Sequence, residues 1–311
     1  MAVAETRFKL NTGAKIPALG LGTWQSAPGE VENAVKHALV NGYRHVDGAM
    51  CYANEDEVGK GLAAAFESGV KREDVFVTTK LWCSYHTKAK EGLEKSLKDL
   101  GLDYVDLYLM HWPVAMNPNG THHLFPKLPD GSRDLWKDRS HIDTWKDMEE
   151  LMKTGKVRAI GVANYSKRYL EQLLPQATIK PAVNQIENHP SLPQQEIVDF
   201  CKEHDIHVTA YSPLGSTGGP LLTAEPVVAV ANKKGVSPAS VLLSWHIARG
   251  SSVLAKSVNP ARIDANKNLV ALDSDDMETI AKYSNELEKS KAFVRYVYPP
   301  FGVDFGFPDK S

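Results

Sequence analysis

The stretch Gly20-Leu21-Gly22-Thr23-Trp24-Gln25, GLGTWQ, is the chain's one approach to a dinucleotide-binding glycine loop. That fingerprint needs a third glycine where strand passes into helix, so that the helix can pack closely on the strand. Gln25 stands in its place. The choice between an open doubly wound sheet and a closed barrel therefore turns on what surrounds the hexapeptide.

Just before it, FKLNTGAKIPALGLGTW places Asn-Thr-Gly between two short strand-like runs, a hairpin signal. Just after it, Val31, Ala34, Val35, Ala38 and Leu39 recur with helical spacing until Asn41-Gly42 stops the run before YRHVD. From there strand-like segments (DVFVTTK, YVDLYLMH, KVRAIGVAN, PAVNQ, IHVTAYS, SSVLAKS) alternate with helical ones such as TKAKEGLEKSLKDLG and DTWKDMEELMKTG. About eight strands alternate with helices, with no linker or low-complexity break. The economical reading is one (β/α)8 TIM barrel spanning 1–311, carrying an N-terminal β-hairpin, long loops at the C-terminal face and an irregular C-terminal tail.

Composition narrows the function. The 311 residues carry 36 basic and 38 acidic side chains, a net charge of −2, so neither nucleic acid nor an anionic membrane is the expected partner. A small molecule is. Three cysteines without metal-ligand spacing (Cys51, Cys83, Cys201) read as reduced thiols, and no signal or membrane-spanning segment is expected, which points to the cytoplasm. His204 and His207 have marginal metal spacing across a helix-to-strand junction, so no metal is expected.

In such a barrel the active site lies at the carboxyl ends of the strands. Read in order, those ends are Asp47, Lys80, His111, Asn164, Gln185, Tyr211 and Lys256. Taken singly, each has a plainer reading: Asp47 as a helix cap, Lys80 as a solvated charge, His111 as a satisfied histidine at a core edge. As a set converging on one mouth they point to chemistry. Tyr52, five residues after Asp47, joins them. A nearby Lys80 ammonium favours the phenolate and draws Tyr52 towards a working range, Asp47 balances the lysine, and His111 orients an oxygen. That constellation suits proton delivery to a carbonyl receiving a hydride.

The motifs LGLGTWQ, GYRHVDGAMCYANEDEVG, TTKLW, LGLDYVDLYLMHWP, GKVRAIGVANYS, PAVNQIENHP, VTAYSPLG and AKSVNPARI occur in this order. On them the chain resembles an aldo-keto reductase over essentially its whole length. The resemblance implies a catalytic tetrad of Asp47, Tyr52, Lys80 and His111, and NADP(H) lying extended across the barrel mouth. It implies cofactor contacts from Gly22, Thr23, Trp24, Asp47, Asn164, Gln185, Tyr211, Ser212, Leu214, Ser216, Lys256, Ser257, Val258, Arg262 and Asn266. The residue types suit the parts: amides for a carboxamide, a tyrosine face for the nicotinamide ring, a Gly/Ser loop for a pyrophosphate, and two cations with a hydroxyl for the 2′-phosphate that distinguishes NADP. Gly48, Ala163, Ala255 and Ala265 depart from the family pattern, which bears on how tightly the cofactor is held.

Trp24, Tyr52, Trp82, His111, Trp112 and Phe125 are expected to wall the substrate pocket, with Tyr298, Phe301 and Phe305 from the aromatic tail FVRYVYPPFGVDFGFPDKS. Trp145 and Trp245 read as core. The GTWQSAPGEVENAVKHAL opening and the tail look most similar to fungal members acting on glyceraldehyde, glycerol or other short polyols and sugars, so NADPH-dependent carbonyl reduction by a monomer is the expectation. An aldose or xylose reductase, a β-keto ester or ketone reductase, a nucleotide-binding sensor subunit on the same scaffold and a metal-dependent barrel enzyme remain open at this stage.

Overall fold

The computed structural model describes residues 3–27 and 29–310; the ends of the expected domain, Met1 and Ser311, lie outside these. The hairpin forms as expected. Strands β1 (Arg7–Lys9) and β2 (Lys15–Pro17) pair antiparallel, with Gly13 at φ +87° turning the chain between them. Leu10 and Ile16 are buried against Phe76, Leu107, Leu109, Ala159, Ala182 and Val183, so the hairpin plugs the amino end of a closed parallel barrel.

The barrel strands are β3 (Leu19–Gly22), β4 (His45–Asp47), β5 (Phe76–Leu81), β6 (Leu107–Met110), β7 (Ile160–Ala163), β8 (Val183–Glu187), β9 (His207–Tyr211) and β10 (Ser252–Lys256), with β10 pairing back to β3. The doubly wound alternative is thereby excluded. GLGTWQ runs off the end of β3 into a turn, and the next helix, α1 (Glu30–Val40), begins only at Glu30. The glycines thus serve the barrel. A Cβ on Gly20 would lie 2.7 Å from both His45 Nδ1 and Leu254 Cδ2, and one on Gly161 would lie 2.6 Å from the Val183 carbonyl oxygen.

Helices α2 (Glu55–Glu67), α3 (Ala89–Leu100), α4 (His141–Leu151), α5 (Lys167–Leu173) and α6 (Gln195–Glu203) follow β4 to β8 in turn; α7 (Glu225–Lys234) and α8 (Pro238–Ala248) follow β9, and α9 (Pro260–Ala265) and α10 (Ser274–Lys289) follow β10. Apolar spacing sets which face of a helix turns inward. In α1 the buried residues are Val31, Ala34, Val35, Ala38 and Leu39, and a Ser140–Asp143 capping box starts α4. Trp145 and Trp245 are both buried in the core.

The tail is fastened rather than loose. Glu187, at the end of β8, accepts hydrogen bonds from the backbone N–H groups of Tyr296 and Val297, each at 2.8 Å. Just before them, Arg295 pairs with Asp309 through two bonds of 2.8 and 2.6 Å, stacks on Phe307 and donates to Gln194. No helix among the described residues is long and apolar enough to cross a membrane.

Candidate active site

At the carboxyl ends of the strands, Lys80 is the organising group. Its Nζ donates to Asp47 Oδ1 at 2.6 Å, to the Gly48 carbonyl at 2.8 Å and to Tyr52 Oη at 3.3 Å, with a side chain only 1% exposed. A buried ammonium is tolerated only with such partners. Asp47 is saturated in turn, because its second oxygen accepts from Gln185 Nε2 at 2.7 Å. The strands fix this geometry: β4 ends on Asp47, β5 presents Lys80 one residue before its end, and a short 3-10 turn (Met50–Tyr52) brings Tyr52 back over the mouth.

His111 comes directly after β6, and its ring lies edge-on to Tyr52 at 5.8 Å and to Trp82 at 5.1 Å. Burial, reinforced by the Lys80 charge, holds its pKa well below the ordinary imidazole value, so the ring is neutral. Tyr52 departs from the expectation that Lys80 would draw its phenol down. Burial, with Asp47 adding to it, pushes Tyr52 well above the ordinary phenol value. The physical reason is that Asp47 already offsets the charge of Lys80, which leaves desolvation as the dominant effect. The site thus holds a neutral phenol, a neutral imidazole and one bound cation.

The expected cofactor residues fall around the same mouth. Asn164 turns off β7 at φ +61°, donates to the His111 carbonyl at 2.9 Å and accepts from Tyr211 Oη at 2.7 Å, which fixes the position of the Tyr211 phenol oxygen. Thr23 Oγ1 donates to the Asp47 carbonyl, while Gly22 and Trp24 flank it; Trp24 is 40% exposed. Ser212 and Ser216 both take positive φ, at 53° and 66°, in the loop that carries Leu214. Left-handed residues gathered round one face are what a ligand-shaped mouth produces. Lys256 is exposed and reaches the Gln25 carbonyl at 3.2 Å; Ser257 and Val258 lead towards α9, Arg262 lies on it and Asn266 is its C-cap. Neither Lys256 nor Arg262 has a carboxylate partner among the described residues. Gly48 is not sterically required, since an added Cβ would find its nearest neighbours at 3.8 Å.

The aromatic wall assembles from three places. Trp82 lies 5.3 Å from Phe125 and 6.2 Å from Phe301, and Trp112 lies 5.9 Å from Phe301. Phe305 is fully buried 4.8 Å from Trp112 and 5.6 Å from Tyr298, which continues the cluster of rings into the tail. His204 bonds the Phe200 carbonyl and His207 bonds Ser252, and no cluster of metal-ligating side chains occurs among the described residues.

Three residues hold a place at the site that the sequence did not assign them. Cys51 Sγ lies 3.5 Å from His111 Nδ1, and its thiol is pushed upward by burial, so it faces the imidazole as S–H. Glu187 anchors the tail, and two-residue alternation along β8 was the available signal, because it puts Glu187 on the face that carries Gln185. Arg133 lies beside the aromatic wall, with nothing in the local sequence to mark it.

A parallel eight-stranded barrel whose mouth holds a lysine-bridged tyrosine and carboxylate, a neutral histidine and a second tyrosine tethered through its phenol oxygen defines an oxidoreductase acting on carbonyl groups. Comparison with known proteins agrees. Residues 18–285 match the Aldo/keto reductase family, and the chain belongs to that family. It is 65% identical to the D-galacturonate reductase of Hypocrea jecorina, with 98% of this chain and 99% of the relative aligned. It is 48% identical to the glycerol 2-dehydrogenase (NADP(+)) of Saccharomyces cerevisiae (95% and 96%) and 46% identical to the D/L-glyceraldehyde reductase of Hypocrea jecorina (94% and 91%). Among solved structures, the aldose reductase of Schistosoma japonicum superposes with a TM-score of 0.87 at 40% identity, covering 94% of each chain.

Proposed function

We propose that this chain is a cytoplasmic, NADPH-dependent reductase of small hydroxy-aldehydes and sugar-derived aldehydes, acting as one monomeric barrel with Tyr52 as the proton donor. The observation that carries this reading is the three-way contact of Lys80 with Asp47, Gly48 and Tyr52.

The cofactor fits the side chains available. Tyr211 is tethered to Asn164 through its phenol oxygen, Gln185 retains an amide oxygen with no partner among the described residues, and Lys256 and Arg262 are exposed cations without acidic partners among them. A bound nicotinamide supplies the hydride. The neutral His111 ring, pinned between Tyr52 and Trp82, orients the carbonyl oxygen. Tyr52 Oη then gives its proton to that oxygen. Lys80 Nζ, 3.3 Å away, meets the negative charge left on the phenol, and Asp47 keeps the lysine in place. Trp82, Trp112, Phe125 and Phe301 exclude water from this exchange. In the oxidative direction the same groups act in reverse. The D-galacturonate and glyceraldehyde reductases among the relatives support short polyhydroxylated substrates.

The test is NADPH consumption with D-galacturonate, glyceraldehyde and xylose, with Tyr52→Phe alongside. Loss of kcat by about 10²–10⁴-fold in the variant, with NADPH still bound, is expected for a proton donor; turnover close to wild type would remove Tyr52 from that role.

A further inference from the structure

Arg133 is a cation set against aromatic rings and without an anionic partner among the described residues. It stands on a small hairpin within the 114–140 excursion, where Lys127 and Arg133 pair antiparallel, Leu128 N–H donates to Ser132 O at 2.9 Å and Gly131 turns at φ +85°. The position is therefore built rather than floppy. The guanidinium carbon lies 5.2 Å from the Phe125 ring centre and 5.9 Å from that of Phe301. Both rings rest against Trp82, and Trp82 is the ring that packs edge-on to His111.

One Arg133 nitrogen, Nη1, donates to the Phe125 carbonyl at 3.1 Å. That is its one side-chain hydrogen bond, and it enters no ion pair, among the described residues. The acids nearest in sequence are engaged elsewhere. Asp134 accepts from Asn117 Nδ2 at 2.8 Å, and Asp130 accepts from the Ser132 N–H and hydroxyl at 2.9 and 2.6 Å. The charge also reaches inward: burial pushes the Cys83 thiol upward, and the Arg133 field opposes part of that push.

A half-buried guanidinium, oriented by one carbonyl and flanked by two phenyl rings, presents its remaining N–H groups as a pre-organised fork. A planar carboxylate takes two parallel bonds from such a fork. We propose that Arg133 binds the carboxylate of an aldehyde acid, so that the pocket favours uronic-acid substrates with the carbonyl at Tyr52 and His111 and the carboxylate at the far end. This rests on the reductase reading of Tyr52 and His111. It adds a charged anchor that a neutral aldose of the same length cannot use.

The experiment compares wild type, Arg133→Gln and Arg133→Lys on D-galacturonate, D-galactose and glyceraldehyde, with thermal melting to confirm folding. Loss of a charge-assisted pair corresponds to about a 10- to 100-fold fall in kcat/KM. That fall is expected for D-galacturonate in Arg133→Gln, carried mainly by KM, with an intermediate loss in Arg133→Lys and changes within about two-fold for the two neutral aldehydes. A parallel loss on all three substrates, or no loss on D-galacturonate, overturns the proposal. A wild-type preference for an aldose 6-phosphate over the uronic acid overturns the carboxylate assignment. Should the wild type reduce no aldehyde, the functional reading fails, and D-galacturonate binding followed by tryptophan fluorescence decides on Arg133 alone: weaker binding in Arg133→Gln upholds it, equal binding overturns it.

Discussion

Lys80 Nζ has its hydrogens committed to Asp47, Gly48 and Tyr52, which makes the protonation of its neighbours the variable that matters. Tyr52 is pushed up and His111 held down, each chiefly by burial. An acid must be protonated to act, so a raised phenol keeps reduction running as pH climbs, and a depressed imidazole stays neutral as pH falls. The pH profile of kcat/KM for reduction is accordingly expected to lack an inflection near the ordinary histidine value of about 6.5 and to fall only above the ordinary phenol value of about 10. A basic limb near neutrality would show that Tyr52 is not the acid. At the phosphate end, Lys256→Ala is expected to weaken NADPH by about 10- to 100-fold and NADH by much less, since a charge-assisted contact to the 2′-phosphate is lost in one case only. Equal losses measured by fluorescence titration would dissociate Lys256 from that phosphate. That Asp47, Lys80 and His111 meet at one mouth was legible in the sequence because strand ends can be counted, and Tyr52 follows Asp47 by five residues. The places of Cys51 and Arg133 were not legible, because each matters through a contact across the mouth that no sequence period encodes, and although alternation puts Glu187 on the face of Gln185, its hold on the tail is a long-range contact.

Among the elements, α2 is joined to β5 and α3 by Glu55, whose carboxylate accepts from Thr79 Oγ1 and from Ser96 Oγ, the latter at 2.9 Å. Two hydroxyls do not replace water, and burial raises its pKa to about 7 from the ordinary value of 4.5. The folded state then binds the proton more tightly than the unfolded state, so stability is highest below the unfolded value and declines as pH rises towards the folded one. A shift of this size corresponds to roughly 3 kcal/mol. Glu55→Gln keeps an acceptor for Thr79 and a donor for Ser96, and it is expected to flatten the fall in urea-unfolding stability between about pH 4.5 and 7. An unchanged slope would place the dependence elsewhere. Sequence reading located α1, α3 and α4 well, because their apolar residues repeat every three or four positions. It could not foresee that α9 is only six residues long, since Asn259 and Asn266 bound it as caps, which apolar spacing does not report.

For the molecule as a whole, closure depends on close approach inside the barrel as much as on strand pairing. Gly161 shows this most sharply, because the obstacle to a side chain there is backbone, the Val183 carbonyl on the neighbouring strand. Gly161→Ala is expected to cost about 1–3 kcal/mol in denaturant unfolding, since a carbonyl locked in a ladder cannot move aside. A neutral result would mean that β7 and β8 slide more freely than their register suggests. The barrel itself was readable from alternation plus the failed glycine loop; the hairpin's role as a plug was not, because it rests on Leu10 and Ile16 meeting Phe76, Leu107 and Val183 from distant parts of the chain. The fastening of the tail has a consequence for how such a protein can change. Arg295 and Asp309 meet at its root, and Glu187 grips the chain immediately after Arg295, so the residues between return to where they began. That segment is a looped strap: its ends are pinned to each other and to β8, while Phe305 and Phe307, buried in the core, tie its interior to the barrel, so a change there is felt by the aromatic wall as well as by the loop.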